Sequence, residues 1–444
     1  MNNISNILQQ QFPLLSRFLS GRFSSGILWN FIATVFSQGS VFLTAIFLAR
    51  ILGKETFGEF GMIQSTLLTL AGLAQIATGL TATKYVAEFR LIDKKRAGRV
   101  LGLCSIMTVI SGLVATVLLI FSASFLAEKI FKAPYLEDGL LIASAFVLFS
   151  VMNGFQTGAL VGLERFKSLS VYGALLGIGY FIICVTGASF WGLYGAFAGM
   201  VISAMLRWLV YGMLLRREAE KQNITILYKE GFREKEVLYR FALPSAVSSM
   251  TTMPSVWLGN AFLVQQVNGF SEMGLYSAGI NLRTIVLFLP YVINNVSLAI
   301  INSHKGSQNI SSYSSSFFMT LKLTFFLALT GALVMWLSGE WVLQLFGKDF
   351  VGKYVTIMIT LMSISVFFEA LNIAVHQLIQ SHEKMWLSFF AIALPRDLTV
   401  VILAYFLTAH YGAAGLAGAY VAGYFLALVV TAGLVYKMNL YNRM

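Results

Sequence analysis

Charged side chains are scarce in this chain. Asp, Glu, Lys and Arg make up 11% of its 444 residues, whereas soluble proteins carry about 25%. Hydrophobic residues account for 57%. A soluble fold of this composition would expose far more apolar surface than monomeric proteins tolerate. The composition therefore excludes an ordinary soluble domain and predicts that lipid surrounds most of the chain.

Residues that build disulfides, metal sites and catalytic centres are also few. The two cysteines, Cys104 and Cys184, each lie in an apolar run, which favours buried hydrophobic positions over a disulfide. The four histidines do not cluster, and no Cys/His metal-ligand spacing occurs. No Walker A sequence or hydrolase, kinase or glycosyltransferase constellation is present. We therefore expect no metal, no cofactor and no enzymatic activity.

Long apolar runs dominate what is there. About 20 apolar residues are needed to cross the hydrocarbon of a bilayer, and twelve segments qualify. Very short turns separate the fifth from the sixth and the eleventh from the twelfth, which predicts tight antiparallel hairpins. The sequence thus predicts an all-α polytopic membrane protein with twelve transmembrane helices. The predicted spans are residues 27–48, 60–82, 100–123, 139–163, 170–190, 193–215, 240–266, 275–301, 317–338, 353–380, 386–408 and 412–436.

Basic residues are distributed unevenly between the two ends of these spans. Segments on the side of the amino terminus hold 21 Lys and Arg residues, and those on the opposite side hold six. The positive-inside rule therefore predicts that both termini are cytoplasmic. The net charge of +12 is then an orientation signal and a match to anionic lipid headgroups. Nucleic acid is not expected as a partner.

The spans divide into a simple domain plan. Residues 1–26 alternate apolar and polar side chains, which predicts an interfacial segment lying on the membrane rather than a cleavable signal peptide, with a flexible tail as the alternative. An amino-terminal six-helix bundle covers residues 27–215 and a carboxyl-terminal one covers 240–436. A cytoplasmic linker at 216–239 joins them, and 437–444 form a cytoplasmic tail.

The two bundles repeat each other. GKETFGEFG (53–61) matches GFSEMGLYS (269–277), and the first repeat offset is therefore 216 residues. GLYGAFAG (192–199) matches GAAGLAGA (412–419) at a second offset of 220 residues. Six spans were therefore duplicated, and the bundles are expected to be related by a pseudo-two-fold axis along the membrane normal. Transporters of this kind bind substrate between the bundles near mid-membrane. Further pairs at the first offset are Gly58 with Gly274, Asn153 with Glu369, and Gln156 with Asn372.

Prolines inside the spans all fall in the second half. They are Pro244, Pro254, Pro290 and Pro395. Proline removes a backbone hydrogen bond and kinks a helix, so spans 7, 8 and 11 are predicted to be bent or broken. The alternative is passive, because membrane helices tolerate proline well.

Four ionisable residues deep in spans of the second half stand out. They are Arg283, Glu369, Arg396 and Asp397. A charge at the centre of an inserted helix costs about 2.5–3.5 kcal/mol if nothing compensates it. Arg396 is near the middle of its span and cannot reach either membrane interface. Such residues mark either structural ion pairs or functional sites.

A polar stripe runs along the tenth span. Glu369, Asn372, His376 and Gln380 are spaced 3, 4 and 4 residues apart, which places them on one helical face. A polar face on a membrane helix should meet protein or a water-filled cavity rather than lipid.

Two interpretations of these residues remain open. In the first, Glu369 or Asp397 pairs with Arg396 and ties two helices together. In the second, Arg396 and Arg283 face a central cavity and attract an anionic headgroup, because the planar guanidinium matches phosphate oxygens. Glu369, Asp397 and His376 would then bind a coupling proton or sodium ion, or hold the arginines in place.

Amide side chains in spans 7 and 8 are the candidates for contacts to a sugar. Asn260 and Asn281 are the chosen substrate-binding residues, and helix–helix hydrogen bonding is the alternative role. Other amides in the same spans are Gln265, Gln266, Asn294 and Asn295.

Three segments resemble a known family. SSGILWNFIATVFSQGSVFLTAIFLARILGKETFGEFGMIQS (24–65), TATKYVAEFR (81–90) and GFSEMGLYSAGINLR (269–283) are similar to the corresponding parts of bacterial O-antigen and polysaccharide flippases. Those belong to the multidrug/oligosaccharidyl-lipid/polysaccharide (MOP) exporter superfamily. ARILGKETFGEFG is the most specific portion. The resemblance implies a MATE-like fold, and it gives no short catalytic motif from which residue roles could be transferred.

The resemblance also implies a function. An undecaprenyl-pyrophosphate-linked oligosaccharide would move from the inner to the outer leaflet of the bacterial cytoplasmic membrane, driven by a proton or sodium gradient. Membrane lipids and the polysaccharide polymerase or assembly proteins are the other expected partners. One alternative is a multidrug/cation antiporter of the same superfamily. Another is a non-transporting scaffold for polysaccharide assembly, and the buried charges argue against it because a scaffold has little reason to keep them.

Overall fold

The computed structural model describes residues 22–237, 249–306, 310–382 and 384–439. The predicted interfacial segment lies almost entirely outside these residues, and so does Pro244. Nearly all of the described chain is helical.

Twelve helices, α1 to α12, are defined by the described residues. α2 is made of two pieces, and two very long helical segments each contain a sharp turn that divides them into a pair. The bounds are α1 Arg22–Leu52, α2 Lys54–Ala74 with Thr78–Phe89, α3 Lys94–Phe125, α4 Glu137–Gly162, α5 and α6 in Phe166–Lys221, α7 Ser249–Val264, α8 Gly269–Gly306, α9 Ile310–Gln344, α10 Lys353–Ser381, and α11 and α12 in 385–437.

The helices are long and apolar. Seven described segments, or eight if the bent α2 is one span, have the length and composition to cross a membrane. The segments of 56 and 53 residues in this set are the two divided ones, and each folds back on itself. The result is a multi-pass membrane protein with twelve helices in two six-helix bundles, as the sequence predicts.

Glycine makes both hairpins. Helical geometry is lost at Trp191 and Gly192 (φ 56°, ψ −135°) in the first and at Gly412 (φ 53°, ψ −131°) in the second. Residues with a Cβ rarely adopt this conformation. The chain therefore reverses between α5 and α6, and between α11 and α12, as predicted. The two glycines are the first residues of the matched segments GLYGAFAG and GAAGLAGA, so the same turn recurs in each half.

The breaks in the helices do not follow the prolines. α2 is the bent helix: its two pieces meet at 43° around Ile76 and Ala77, which both have positive φ. α7 and α8 continue through Pro254 and Pro290, so neither helix is broken there, and a bend at these prolines stays a prediction. Before Pro395, α11 contains a π-helical turn, Phe389–Ala393, which accommodates the missing backbone donor.

Side-chain contacts confirm the repeat. Thr108 on α3 donates to the hydroxyl of Thr78 on α2 at 3.1 Å. At the positions that match these two under the first repeat offset, Asn294 on α8 donates to Thr324 on α9 at 3.2 Å. The second and third helices of each half are therefore held together at the same place.

The two halves meet through a pair of repeat-related glycines. A Cβ added to Gly58 would lie 2.7 Å from the backbone nitrogen of Gly274 and against the carbonyl oxygen of Phe270. A Cβ added to Gly274 would lie 3.4 Å from the nitrogen of Gly58 and against the carbonyl oxygen of Lys54. Lys54 and Phe270 are themselves a matched pair of the repeat. The pseudo-two-fold axis thus passes between these glycines, where α2 and α8 cross at van der Waals distance.

Other contacts between the halves lie at this same end of the molecule, which we name the sealed end. Arg50 Nε donates to the carbonyl oxygen of Leu345 at 2.6 Å, and Gln265 Nε2 donates to that of Ile130 at 3.0 Å. The ring of Phe57 packs 6.1 Å from that of Phe346 between centroids. The opposite end, which carries residues 222–237 and the turn between α10 and α11, is named the linker end.

Candidate functional site

An ion pair links α8 to α10 inside the carboxyl-terminal half. Arg283 donates from one terminal nitrogen to Glu369 Oε2. The arginine side chain is 19% exposed and the glutamate side chain 7%. The other carboxylate oxygen accepts hydrogen bonds from the hydroxyls of Tyr291 at 3.0 Å and Tyr424 at 3.1 Å. Glu369 is therefore ionically paired and fully hydrogen-bonded, as a buried carboxylate must be.

A second ion pair lies on α11. Arg396 donates to Asp397 Oδ1 from Nε at 2.8 Å, with a terminal nitrogen 2.7 Å from the same oxygen. That terminal nitrogen also donates to Thr252 Oγ1 on α7 at 2.8 Å, and the threonine hydroxyl donates to Asp397 Oδ2 at 3.0 Å. Adjacent residues on a helix normally point apart. Here Thr252 completes a closed triangle that holds both charges.

Tyr424 on α12 joins the two ion pairs. Its ring centroid is 5.5 Å from the guanidinium carbon of Arg283 and 5.7 Å from that of Arg396. Tyr420, one turn earlier, lies 5.9 Å from Arg283 and stacks on Tyr424. The negative face of an aromatic ring attracts a cation within about 6 Å. The two arginines therefore share one aromatic platform, and we name this set with the two carboxylates the charge cluster.

A cavity adjoins the charge cluster. Its volume is about 350 Å³, and all of its lining residues belong to the carboxyl-terminal half. Arg396 and Thr252 form part of the wall, so the guanidinium borders open space. This chamber lies within one bundle, near the linker end, and not between the bundles where the sequence predicts the substrate site. Its other polar lining residues are Tyr291, Asn294, Asn372, His376, Gln377, Gln380 and Ser388.

The polar stripe of α10 largely faces this cavity. Asn372, His376 and Gln380 line it, whereas Glu369 lies one turn deeper in the charge cluster. His376 Nε2 bonds the hydroxyl of Ser388 on α11, and Thr431 donates to Asn372 Oδ1 at 2.8 Å. The periodic spacing along α10 therefore predicted a real polar face.

The two asparagines chosen as sugar contacts lie elsewhere. Asn260 is 3% exposed and donates to Ser65 Oγ at 2.8 Å across the interface between the halves. Asn281 donates to the carbonyl oxygen of Ser277 on its own helix at 2.8 Å. Neither lines the cavity. Their geometry fits the alternative role, helix–helix and intrahelical hydrogen bonding.

The sequence matches the family described as Polysaccharide biosynthesis protein over residues 23–298. The chain belongs to this family. The match includes Arg283 of the charge cluster and ends before α10 and α11, so it does not reach the other three charged members.

Two curated relatives carry the same printed description, EPS I polysaccharide export inner membrane protein EpsE. One is from Ralstonia nicotianae, 23% identical over 291 residues, and the other is from Ralstonia solanacearum, 25% identical over 288 residues. Each match covers 62% of this chain and 62% of the relative. The chain thus spans about 62% of the length of the curated relatives it matches.

Solved structures share the fold. An inward-facing multidrug resistance MATE family transporter of the MOP superfamily superposes with a TM-score of 0.76 at 15% identity, covering 93% of this chain and 98% of that one. The lipid II flippase MurJ, in an inward closed conformation, gives a TM-score of 0.74 at 14% identity, with 93% and 89% covered. This member of the polysaccharide biosynthesis family therefore has the two-bundle fold of these transporters.

Sequence reasoning missed the tyrosines of this family member. Tyr291, Tyr420 and Tyr424 supply the hydroxyls and ring faces that make two buried arginines tolerable. The available signal was YVAGY (420–424) on the last span, because a spacing of four residues stacks two rings on one helical face. Thr252 was missed because a threonine in a membrane helix usually bonds its own backbone.

Proposed function

We propose that this protein translocates a lipid-linked oligosaccharide, carried on undecaprenyl pyrophosphate, from the inner to the outer leaflet of the bacterial inner membrane. The observation that supports this most is the guanidinium of Arg396 on the wall of a polar cavity. A buried cation beside open space and a row of amides suits a headgroup made of phosphates and sugars. The polysaccharide family and the EpsE relatives favour the same substrate class.

Arg396 is proposed as the pyrophosphate contact. Its guanidinium now binds Asp397 and Thr252, and a substrate phosphate would compete for the same donors. Arginine suits this exchange because its fork donates two parallel hydrogen bonds to phosphate oxygens and stays charged. Arg283 is held deeper by Glu369 and tyrosine hydroxyls, so in this proposal it adds positive potential rather than a direct contact.

The carboxylates are proposed to couple transport to an ion gradient. When phosphate takes Arg396, the carboxylate of Asp397 loses its main partner and becomes a place for a proton or a sodium ion. Glu369 stands in the same relation to Arg283, and His376 lines the cavity beside them. An ion would thereby replace arginine at a carboxylate while arginine binds the substrate.

Alternating access is proposed to occur about the glycine crossing. The halves contact each other at the sealed end, and the cavity lies toward the linker end. With both termini in the cytoplasm, as the basic residues indicate, the described conformation is the one that accepts substrate from inside. The polymerase or other assembly proteins would receive the product on the outer face.

The multidrug/cation antiporter remains the second candidate on grounds of fold. A cationic drug needs an anionic partner in the cavity. In the described part of the second half, Glu369 and Asp397 are each paired with an arginine, and the charged residue on the cavity wall is Arg396. The charge balance therefore favours an anionic substrate.

The test is complementation of a gene deletion in the host, scored by surface polysaccharide on gels. Wild type, Arg396→Ala, Arg396→Lys and Arg396→Ala/Asp397→Ala are supplied at matched membrane levels. Lys322→Ala is the matched control, because Lys322 is an exposed cation on α9 of the same half. Arg396→Ala and the double variant should fail, and Arg396→Lys should restore only part of the polysaccharide. Full polysaccharide in the deletion strain, with no second flippase present, would refute the proposal.

A further inference from the structure

A second cavity lies in the amino-terminal half, well separated in the fold from the charge cluster. It has a volume of about 340 Å³ and is bounded by α3, α4, α6 and the segment that follows α6. Ligand pockets usually measure about 300–1,000 Å³. The residues that matter here are Gln156, Trp208, Gly212, Arg216 and Tyr228. No lining residue is shared with the cavity at Arg396.

The amide of Gln156 is the unsatisfied group of this cavity. The residue is 6% exposed, and its side-chain oxygen is buried without a hydrogen-bond partner in the described part of the chain. Its side-chain nitrogen lies in front of Gly212, where an added Cβ would come within 3.0 Å of it. A buried polar group is normally paired. The open amide oxygen can accept a hydrogen bond from a hydroxyl or amide group of a ligand in this cavity.

The wall opposite α4 is built by the linker and is preformed. Leu227 N donates to the carbonyl oxygen of Gly98 on α3 at 3.0 Å, so the segment carrying Tyr228 runs along that helix. A few residues later, Glu234 pairs with Arg96 at 3.0 Å and with Arg99 at 2.9 Å. The linker is therefore docked on α3, and these contacts hold Tyr228 in the cavity wall.

Arg216 stands where this cavity meets a second one. The neighbouring cavity, of about 660 Å³, shares Arg216, Ile226 and Tyr228 with the first. Together they form one groove that leads from Gln156 to the surface at the linker end. Among the described residues Arg216 has no carboxylate partner, unlike the neighbouring Arg165, which pairs with Glu218 at 2.8 Å. Its guanidinium is available to an anion.

An apolar path starts beside this arginine. Leu209 and Met213 line the inner cavity and are 41% and 54% exposed on the outer face of α6. Trp208, the residue before Leu209 on α6, lines the same cavity and packs against Phe149. The groove thus combines an aromatic face, an open amide, a free cation and an exit toward lipid.

We infer that this groove binds the glycosyl phosphate headgroup of the lipid-linked substrate before that headgroup reaches Arg396. The inference rests on the proposed function. The first sugar stands against Trp208, because the C–H face of a sugar packs on an aromatic ring while its hydroxyls or acetamido group satisfy Gln156. The phosphate binds Arg216, and the polyprenyl chain leaves along Leu209 and Met213.

The experiment measures binding of farnesyl pyrophosphoryl N-acetylglucosamine to the purified full-length protein in nanodiscs of neutral lipid. Arg216→Gln should weaken binding roughly 10-fold or more, because charge-assisted hydrogen bonds are lost. Gln156→Leu should weaken it several-fold. Arg217→Gln is the matched control: Arg217 is the next residue, equally basic and exposed, and does not line the groove.

Two further probes distinguish a lipid-linked sugar from other phosphate-bearing lipids as the ligand of the groove. Farnesyl phosphate lacks the sugar, so its binding should depend on Arg216 and be indifferent to Gln156→Leu. Phosphatidylglycerol should compete poorly; competition at equal concentration would make the groove a site for bulk lipid and overturn the inference. If Arg396→Ala abolishes binding while Arg216→Gln and Gln156→Leu do not change it, the groove is excluded and the flippase proposal stands. No binding to wild type would overturn both.

Discussion

The glycine crossing at the sealed end offers the sharpest test of the mechanism. In Gly58→Ala the new methyl group meets the carbonyl oxygen of Phe270 and lies 2.7 Å from the nitrogen of Gly274. These are backbone atoms, so no side-chain rotation relieves the overlap. α2 and α8 must separate, and with them the two halves. Gly274→Ala makes the symmetry-related overlap with the carbonyl oxygen of Lys54 and should have the same effect.

The expected size of the effect follows from packing energetics. Inserting a methyl group into a well-packed contact costs about 1–3 kcal/mol, and contact with backbone places this case at the upper end. The cost falls on the sealed conformation alone, because the glycines are apart once that end opens. A differential cost of about 3 kcal/mol changes the ratio of the two conformations roughly 100-fold. A sealed state favoured by less than this cost would thus become the minor one.

The assay is labelling of a cysteine placed at Ser65, whose hydroxyl accepts a hydrogen bond from Asn260 between the halves. A membrane-impermeant maleimide is applied to intact cells and to inside-out vesicles. The native cysteines, Cys104 and Cys184, are fully buried and give little background. Labelling of Ser65→Cys from the sealed end should be slow in the parent and fast with Gly58→Ala. Gly433→Ala is the control, because an added Cβ there meets nothing within 4 Å.

The outcomes are distinct. Equal labelling in Gly58→Ala and Gly433→Ala, at equal protein levels, would refute the glycine crossing as the seal. Different behaviour of Gly58→Ala and Gly274→Ala would refute the pseudo-two-fold argument. Fast labelling from inside-out vesicles rather than from intact cells would place the sealed end in the cytoplasm and reverse the proposed orientation.

Three further predictions concern stability, measured as thermal denaturation of the purified protein in detergent. Arg396→Ala leaves the carboxylate of Asp397 buried and unpaired and should cost about 3–5 kcal/mol, whereas removing both charges should cost less; an equal loss would show that the pair is not coupled. Tyr424→Phe removes a hydroxyl donor to a buried carboxylate and should cost about 1.5–3 kcal/mol; an unchanged transition would contradict that bond. Gly192→Ala should cost roughly 1–3 kcal/mol through strain at positive φ, and Gly412→Ala should cost more, because its added Cβ also lies 2.5 Å from a carboxylate oxygen of Glu272; equal losses would contradict this.

Much of the fold was predictable because its causes are local or periodic. Apolar length determined the spans, and the two sets of repeated segments predicted the two bundles and both hairpins. The break in α2 was not predictable, since its sequence around Ile76 and Ala77 holds no proline. Conversely, Pro254 and Pro290 left their helices unbroken, because neighbouring helices can supply the missing stabilisation.

The site was predictable in its charges and unpredictable in its pairing. Burial of Arg283, Glu369, Arg396 and Asp397 followed from their depth in apolar spans. Sequence reasoning left Glu369 and Asp397 as rival partners of Arg396. In the structure each arginine has its own carboxylate, and a tyrosine joins them. Which partner is chosen depends on the rotation of α8 and α12 against α10, and sequence periodicity does not fix the rotation of one helix relative to another.

The amino-terminal half supplies a neutral version of the contact between Arg283, Glu369 and Tyr424. The positions that match these three under the repeat hold uncharged residues, all of them buried. The matched positions on α4 and α6 are also hydrogen-bonded: Asn153 Nδ2 donates to the carbonyl oxygen of Ala204 at 3.1 Å. In the other half the corresponding hydrogen bond joins Tyr424 to Glu369. The same contact is therefore neutral in one half and charged in the other. The matched pairs are Leu67 with Arg283, Asn153 with Glu369, and Ala204 with Tyr424.

This correspondence defines the experiment that separates structure from function in the charge cluster. The triple variant Arg283→Leu, Glu369→Asn, Tyr424→Ala installs the neutral set that the other half already accommodates. Adding Arg283→Leu to the Glu369→Asn, Tyr424→Ala variant should restore stability, because it removes the stranded buried cation, while the space left by the tyrosine ring keeps the triple variant below wild type. In the complementation assay the triple variant should reach the membrane and fail to restore polysaccharide. Full restoration would mean that these charges only hold helices together, and loss of the protein from the membrane would mean that the fold of this half depends on them.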